Sequence, residues 1–220
     1  MKKFNCRKYR PGQPFNAKLD GPLMSMGASG SIGGILTFGS NKGRNFVRQL
    51  VIPANPNTPA QQGVRSMMKF VGQEWAQLTA PNQATWEARA AQTNISPFNA
   101  FSSKAMDNWS NGLAAQREDP AETAAAGAAT AGLTDTVTER RALIEWTDSV
   151  TANQFGVIIY LSETTGFTAG RNNAVAVIDL GIEQWNTPTL APSTWYYRTA
   201  PFNIAGVIGT LSAEGSFVIA

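Results

Sequence analysis

The sequence predicts an α+β chain of several parts: an extended basic arm, a β-hairpin joined to three helices, and an all-β sandwich. Three observations predict it. Two apolar runs flank an Asn/Gly turn at residues 40–43, three capped amphipathic segments follow between residues 58 and 112, and residues 133–220 hold short strand-like runs with no helical pattern between them. The boundaries read as arm 1–26, hairpin and helices 27–113, Ala-rich linker 114–132 and sandwich 133–220.

Charge sets the arm apart. Residues 1–50 carry nine basic side chains (Lys2, Lys3, Arg7, Lys8, Arg10, Lys18, Lys42, Arg44, Arg48) against Asp20, a net +8, so the chain total of +3 leaves −5 for the remainder. Such polarity suits an anionic partner: nucleic acid, an acidic neighbouring subunit or a membrane surface, the plainer alternative being a solvated tail. Pro11, Gly12 and Pro14 argue against a regular helix, and Phe4, Tyr9 and Phe15 equip an extended segment to anchor in a neighbour's grooves. The lone Cys6 excludes an intrachain disulfide and a cysteine-based zinc site. Polar and basic residues stand where a secretion signal needs an apolar run, and no stretch approaches the roughly 20 apolar residues of a membrane helix, so folding in a cytoplasm is expected.

The glycine-rich residues 27–34 lead into Ile35-Leu36-Thr37-Phe38, then Ser40-Asn41-Lys42-Gly43, then Asn45 to Ile52. Asn and Gly tolerate the positive φ of tight hairpin turns, so this reads as a hairpin, and its glycine content calls for a partner to lie against. Thr58 as N-cap, Pro59 at the first helical position and Gln61 as the return half of a capping box start the first helix. Val64, Met67, Met68, Val71, Trp75 and Leu78 form its expected apolar stripe, with Arg65, Lys69, Gln73 and Glu74 outside it. Thr79 and Pro81 start a second helix bearing Trp86 and Ala90; Ser96-Pro97 starts a third with Phe98, Phe101, Ala105 and Trp109, stopped by Asn111-Gly112. These Trp, Met and Phe stripes read as core rather than as a cofactor pocket. A unit this small is expected to dock on the hairpin or on another subunit. Residues 114–132 contain no large apolar side chain, which is linker composition that leaves the halves free relative to each other.

Beyond it, residues 141–146 with a buried Trp146, 155–161, 174–180, 195–200 and 217–219 read as strands of a sandwich. The order Trp146, Leu190-x-Pro192-x-Thr194-x-Tyr196, Arg198, Ala200, Asn203, Ala205-Gly206 resembles a fibronectin type III domain over residues 133–220. The resemblance implies that Trp146 packs in the core and that the Tyr196 hydroxyl bonds back to upstream backbone, while Pro201-Phe202 interrupts the usual strand. Residues 30–110, through Lys42-Gly43-Arg44-Asn45, Pro53-x-Asn55-Pro56-x-Thr58-x-x-Gln61-x-x-x-Arg65, Trp75-x-x-Leu78-Thr79 and Trp86-x-x-x-Ala90, are similar to an uncharacterised group of phage and prophage proteins, some thought to be virion components.

Enzymatic chemistry finds little footing. With no histidine, the commonest general base is missing and Ser-His or Cys-His nucleophiles are excluded. Glu74 and Glu87 fall on separate predicted helices and read as solvated rather than as an acid/base pair. Gly34-x-x-x-x-Gly39 has the outline of a phosphate loop, but Ser40-Asn41 stand where Lys and Ser/Thr are required. We therefore expect no catalytic residue, metal or cofactor, and no small-molecule substrate. The resemblance implies a structural component of a bacteriophage virion, a minor or decorating capsid protein or a neck or tail subunit. It would assemble through arm, hairpin and helices, project the sandwich, and meet other virion proteins, copies of itself and, through Lys2, Lys3, Arg7, Lys8, Arg10, Lys42, Arg44 and Arg48, packaged DNA, with no membrane partner. Two alternatives stand beside it: a receptor- or glycan-binding module using Trp185 and the Thr164–Gly170 loop, and an arm-driven nucleic-acid binder.

Overall fold

The computed structural model describes residues 30–32, 35–41, 44–51, 57–147 and 153–220. The chain divides into two compact units, Met1–Pro56 and Asn57–Ala220. In the first, β1 (Gly30–Ile32), β2 (Leu36–Asn41) and β3 (Arg44–Gln49) form an antiparallel sheet in the order β1-β2-β3. The hairpin register runs from Leu36 opposite Gln49 to Asn41 opposite Arg44, so exchange of strand partners closes just before the Lys42-Gly43 pair, which lies outside the described residues along with the whole of the arm, 1–26.

The second unit opens with α1 (Pro59–Gln77), α2 (Ala80–Thr93) and α3 (Pro97–Ser110). Each has proline at its start, where no backbone donor is needed, after an extended cap residue, Thr58, Thr79 or Ser96. Of the three caps only the Ser96 side chain accepts from the helix, at Asn99 N. The capping box expected from Thr58 and Gln61 does not form. Instead Gln62 Nε2 donates to Asn57 O at 2.8 Å, and Arg65 Nη1 donates to Asn57 Oδ1 at 3.1 Å.

Seven strands follow: β4 (Ala131–Thr138), β5 (Arg141–Thr147), β6 (Gln154–Ser162), β7 (Ala174–Asp179), β8 (Gln184–Asn186), β9 (Ser193–Asn203) and β10 (Gly215–Ile219). They form a three-stranded sheet, β4-β5-β8, and a four-stranded sheet, β10-β9-β6-β7, antiparallel throughout. Between them lies a core of Ala142, Ile144 and Trp146 from β5, Val157, Ile159 and Leu161 from β6, and Tyr197, Phe217 and Ile219 from β9 and β10. Every second residue of β5 faces inward, as the pleat requires. The expected sandwich is therefore present, with β4 and β8 added to the strands legible in sequence.

Two corrections concern its register. Tyr197, not Tyr196, is the buried tyrosine of β9: its hydroxyl donates to Asp135 Oδ1 at 3.0 Å, a side chain rather than upstream backbone. Burial and the neighbouring Asp135 carboxylate push its ionisation well above the usual phenol range. Tyr196 turns to the opposite face, because a shift of one residue in a strand moves a side chain across the sheet. Pro201 does not interrupt β9 either. Regular pairing with β10 ends at Tyr197, and beyond it an irregular segment lies alongside: Phe202 bridges Ile208 and Gly209 N donates to Pro201 O at 2.7 Å, so Pro201 pairs through its carbonyl and its missing N–H falls outside a regular ladder.

The outer face of the four-stranded sheet is covered by the helices, and a second core joins them. Phe70 of α1 meets Phe155 and Phe202 edge to face, both at 5.3 Å between ring centroids. Strand β6 is consequently buried on both faces, which explains its unbroken apolar run Val157-Ile158-Ile159-Tyr160-Leu161. The helices thus dock on the sandwich, whereas docking on the hairpin or another subunit was expected. The stripe on α1 is also rotated: Gly63, Met67, Phe70, Val71 and Glu74 are buried, and Val64 and Met68 are exposed. Strand β7 is the sheet's edge, and α1 closes it. Ser66 Oγ accepts from Val177 N at 2.7 Å and donates to Val177 O at 3.3 Å, occupying the backbone groups a further strand would use.

Gly63 permits that approach, since a Cβ there would collide with the Ala174 carbonyl oxygen. Gly63→Ala should destabilise by about 1–3 kcal/mol through overpacking, measurable as a lowered urea midpoint. An unchanged midpoint would mean that α1 does not sit this close to β7.

Residues 114–132 are not a free linker. Ala114 N donates to Gly206 O and Arg117 N to Ile204 O, both at 2.8 Å, Asn203 Nδ2 reaches the Ala124 and Ala125 carbonyls at 2.9 Å, and Thr210 N donates to Gly127 O at 3.0 Å. Small side chains let this strap lie against β9 and the turn after it. Gly206, at φ +80°, sits against the Ala114 carbonyl, where a side chain would clash. The expected boundary at 114–132 is thus replaced by one at Pro56/Asn57.

Candidate interaction surfaces

The first surface is the sheet of the N-terminal unit. Successive side chains of a strand alternate between faces, so Phe46 and Arg48 share one face of β3 and Val47 lies on the other. Phe46 stands opposite Gly39, whose lack of a side chain leaves room for the ring, and the Arg48 guanidinium carbon lies 5.7 Å from the ring centroid. That pairing holds a cation against an aromatic in the open. Phe38 in β2 is buried, but other apolar side chains of this unit are exposed: Ile35 at 65%, Leu36, Phe46, Val47 and, just beyond the sheet, Val51 at 73%. Of the expected basic contacts, Arg48 is exposed on β3 and Arg44 lies at its start, while Lys2, Lys3, Arg7, Lys8, Arg10 and Lys42 fall outside the described residues.

The second surface lies in the C-terminal unit, where β7 passes to β8. Here a cleft of about 430 Å³ is lined by Glu145, Trp146, Gly181, Ile182, Glu183 and Gln184. Gly181, at φ +85°, turns the chain, and Trp146 N donates to Glu183 O at 3.0 Å, which ties the turn to β5. Leu180 and Ile182 are left half-exposed beside the two carboxylates. The result is an acidic rim with an aliphatic edge.

Two apolar clefts of about 340 and 430 Å³ flank Trp109 and Arg171, where α3 meets the loop before β7. Arg171 Nη1 donates to Ser110 O at 3.3 Å. The Trp109 indole nitrogen is buried without a hydrogen-bond partner. Trp86 is fully buried, Trp75 lies 5.9 Å from Phe98 and 5.8 Å from Phe101 between centroids, and Trp146 and Leu190 are buried in the sandwich.

The residues named for glycan or receptor contact are not brought together. Trp185 lies in β8 of the three-stranded sheet, partly buried against its core, whereas residues 164–170 connect β6 and β7 of the other sheet. That loop is latched by Glu214, which accepts from Thr165 Oγ1 at 2.9 Å, Gly166 N at 3.0 Å and Arg198 Nη2 at 3.1 Å. The Gly166 amide foremost, with Thr165 and Arg198, holds the Glu214 carboxyl below its ordinary value despite some desolvation.

Glu74 corrects the expectation of a solvated carboxylate. It is 5% exposed, between α1 and β7, because it follows Phe70 and Val71 by one turn. Burial first, then a hydrogen bond to Asp179 and that group's charge, raises its pKa to about 8. Asp179 also accepts from Gln77 Nε2 at 3.2 Å. Glu87, by contrast, is exposed on α2. Sequence periodicity placed Glu74 outside the stripe because Val64 and Met68 were counted into it; Phe70 was the signal that would have rotated the face.

Among the described residues no group of three or more His, Cys, Asp or Glu is placed to hold a metal ion, and no helix is long and apolar enough to cross a membrane.

The arrangement defines an antiparallel two-sheet β-sandwich in the C-terminal part of the chain, faced with helices on one sheet. Known structures are similar over less than half of the chain: an Fn3-like protein from Clostridium thermocellum (17% identity, 44% of this chain and 96% of that one, TM-score 0.37), and an fn3 domain of human contactin 1 (11%, 44% and 81%, TM-score 0.38). A β-1,2-glucanase from Parabacteroides distasonis is similar at 20% identity over 44% of this chain, with TM-score 0.37, and the chain spans only 13% of its length. No family model matches the chain, and no curated protein is significantly similar to it.

Proposed function

We propose that this chain is a non-enzymatic structural component of a bacteriophage virion, a subunit that holds shape and grips neighbours. The observation that carries the reading is its division into a basic sheet unit with exposed apolar side chains and an acidic, densely packed body. A sheet of three short strands that leaves Ile35, Phe46, Val47 and Val51 in solvent suits a surface to be covered on assembly. The kind of particle is proposed on the resemblance that the sequence of residues 30–110 bears to phage and prophage proteins. Capsid, neck and tail positions all accommodate such a subunit.

Mass spectrometry of gradient-purified particles tests this. The protein is expected in a fixed ratio to the major capsid protein, and deletion of residues 1–20 should deplete it from particles while leaving its thermal unfolding nearly unchanged. A protein confined to the lysate, with particles complete without it, would sink the reading.

A further inference from the structure

We propose that the basic sheet of one copy docks onto the acidic cleft between β7 and β8 of a second copy. The inference rests on the reading of the chain as a repeating structural subunit and names the contact that would repeat.

Three observations lead to it. The sheet exposes apolar groups flanked by Arg48, and its unit carries +8, so its natural complement is an apolar surface with negative charge. Such a surface exists in the same chain. Glu145 and Glu183 line a cleft beside exposed Leu180 and Ile182, in a unit of net −5. Finally, β3 carries Arg44 and Arg48, so antiparallel pairing of two β3 edges would bring like charges together, which disfavours a symmetric contact of sheet with sheet. A contact between two different surfaces of identical copies is heterologous, and it propagates into a ring or an open lattice rather than stopping at a dimer.

The charge pair makes the idea separable from simple stickiness. In analytical ultracentrifugation of the full chain at low salt, the wild type should assemble beyond a dimer and dissociate as salt rises. Arg48→Glu, and separately Glu145→Lys with Glu183→Lys, should each weaken assembly by roughly tenfold or more, and the two sets combined in one chain should recover most of it. Phe46→Ser should weaken assembly without changing its salt dependence, and far-UV circular dichroism should show every variant folded. A wild type that stays monomeric at all concentrations, a combined variant that shows no recovery, or an Arg48→Glu chain that loses only DNA binding would overturn the proposal. If the chain is found in particles but the swap shows no recovery, the docking fails and the virion reading stands. Recovery with particles lacking the chain gives the reverse.

Discussion

Trp86→Ala should lower the stability of the chain by about 3–5 kcal/mol, the range for truncating a fully buried large aromatic. Trp86 is completely buried, lies 5.2 Å from Phe101 between ring centroids and donates from Nε1 to Arg117 O at 3.2 Å. It therefore ties α2 to α3 and to the strap that runs along β9. Around it, Thr85 Oγ1 accepts from Asp119 N at 3.2 Å, and Arg89 pairs with Asp119 at 3.5 Å, part-exposed contacts of little energy by themselves. Removing the indole empties the junction and orphans a carbonyl, and these smaller contacts do not replace it. Trp86→Phe should cost less, about 1–3 kcal/mol, because much of the packing survives and only the donor is lost. Urea unfolding followed by circular dichroism reads both. A loss under about 1 kcal/mol for Trp86→Ala would mean that α2 is not held to the rest of the unit through this residue.

The second large effect is a pH dependence set by Glu74. Its pKa is about 8 in the folded chain, against 4.5 for the free side chain. Below about 4.5 the group is protonated in both states and imposes nothing. As pH rises from there toward 8, the unfolded chain releases a proton that the folded chain retains, so the unfolded state gains and stability falls; above 8 both are ionised and the loss is complete. Solvent screening at the rim of the helix–sheet seam reduces the effect, and we expect a loss on the order of 2–3 kcal/mol across the window. Glu74→Gln cannot ionise, and its amide still reaches Asp179, so its stability should stay nearly level over the same range and exceed that of the wild type at pH 8. Glu214 acts in the opposite sense: its lowered pKa gives stability that is lost only as pH falls below the ordinary carboxylate range, so the two windows do not overlap. Parallel slopes for wild type and Glu74→Gln between pH 5 and 8 would remove Glu74 as the cause.

One effect arises where α2 meets α3 and the strap and the other where α1 meets the sheet, junctions that short-range sequence pattern does not reveal. Helix starts were legible because proline at the first or second position and a preceding Thr or Ser act within one turn. The face each helix buries was less so. On α1, Val64, Met67, Met68, Val71 and Phe70 allow more than one stripe, and the choice fell to the strand that the helix covers. Gly63 and Ser66 carry no apolar signal, yet one leaves the room that β7 occupies and the other hydrogen-bonds to its backbone. The Ala-rich strap misled for a related reason: alanine and glycine mark both flexible linkers and backbone laid tightly on backbone, and only the presence of β9 beside it separates these. The acidic cleft was equally illegible, since Glu145 and Glu183 lie far apart in sequence and meet through the β5–β8 pairing.

The sequence by itself determined the local elements, three proline-started helices, the two paired strands of a hairpin and the alternating strands of a sandwich, together with the placement of positive charge in the first 50 residues. These follow from steric and hydrogen-bonding preferences that act over a few residues. Only the tertiary structure decided that the helices clad the four-stranded sheet, that Tyr197 rather than Tyr196 turns inward, that Glu74 is buried, and that the division falls at Pro56. Each of those depends on which distant surfaces come together to leave water, and burial on that scale is a property of the whole fold rather than of any segment.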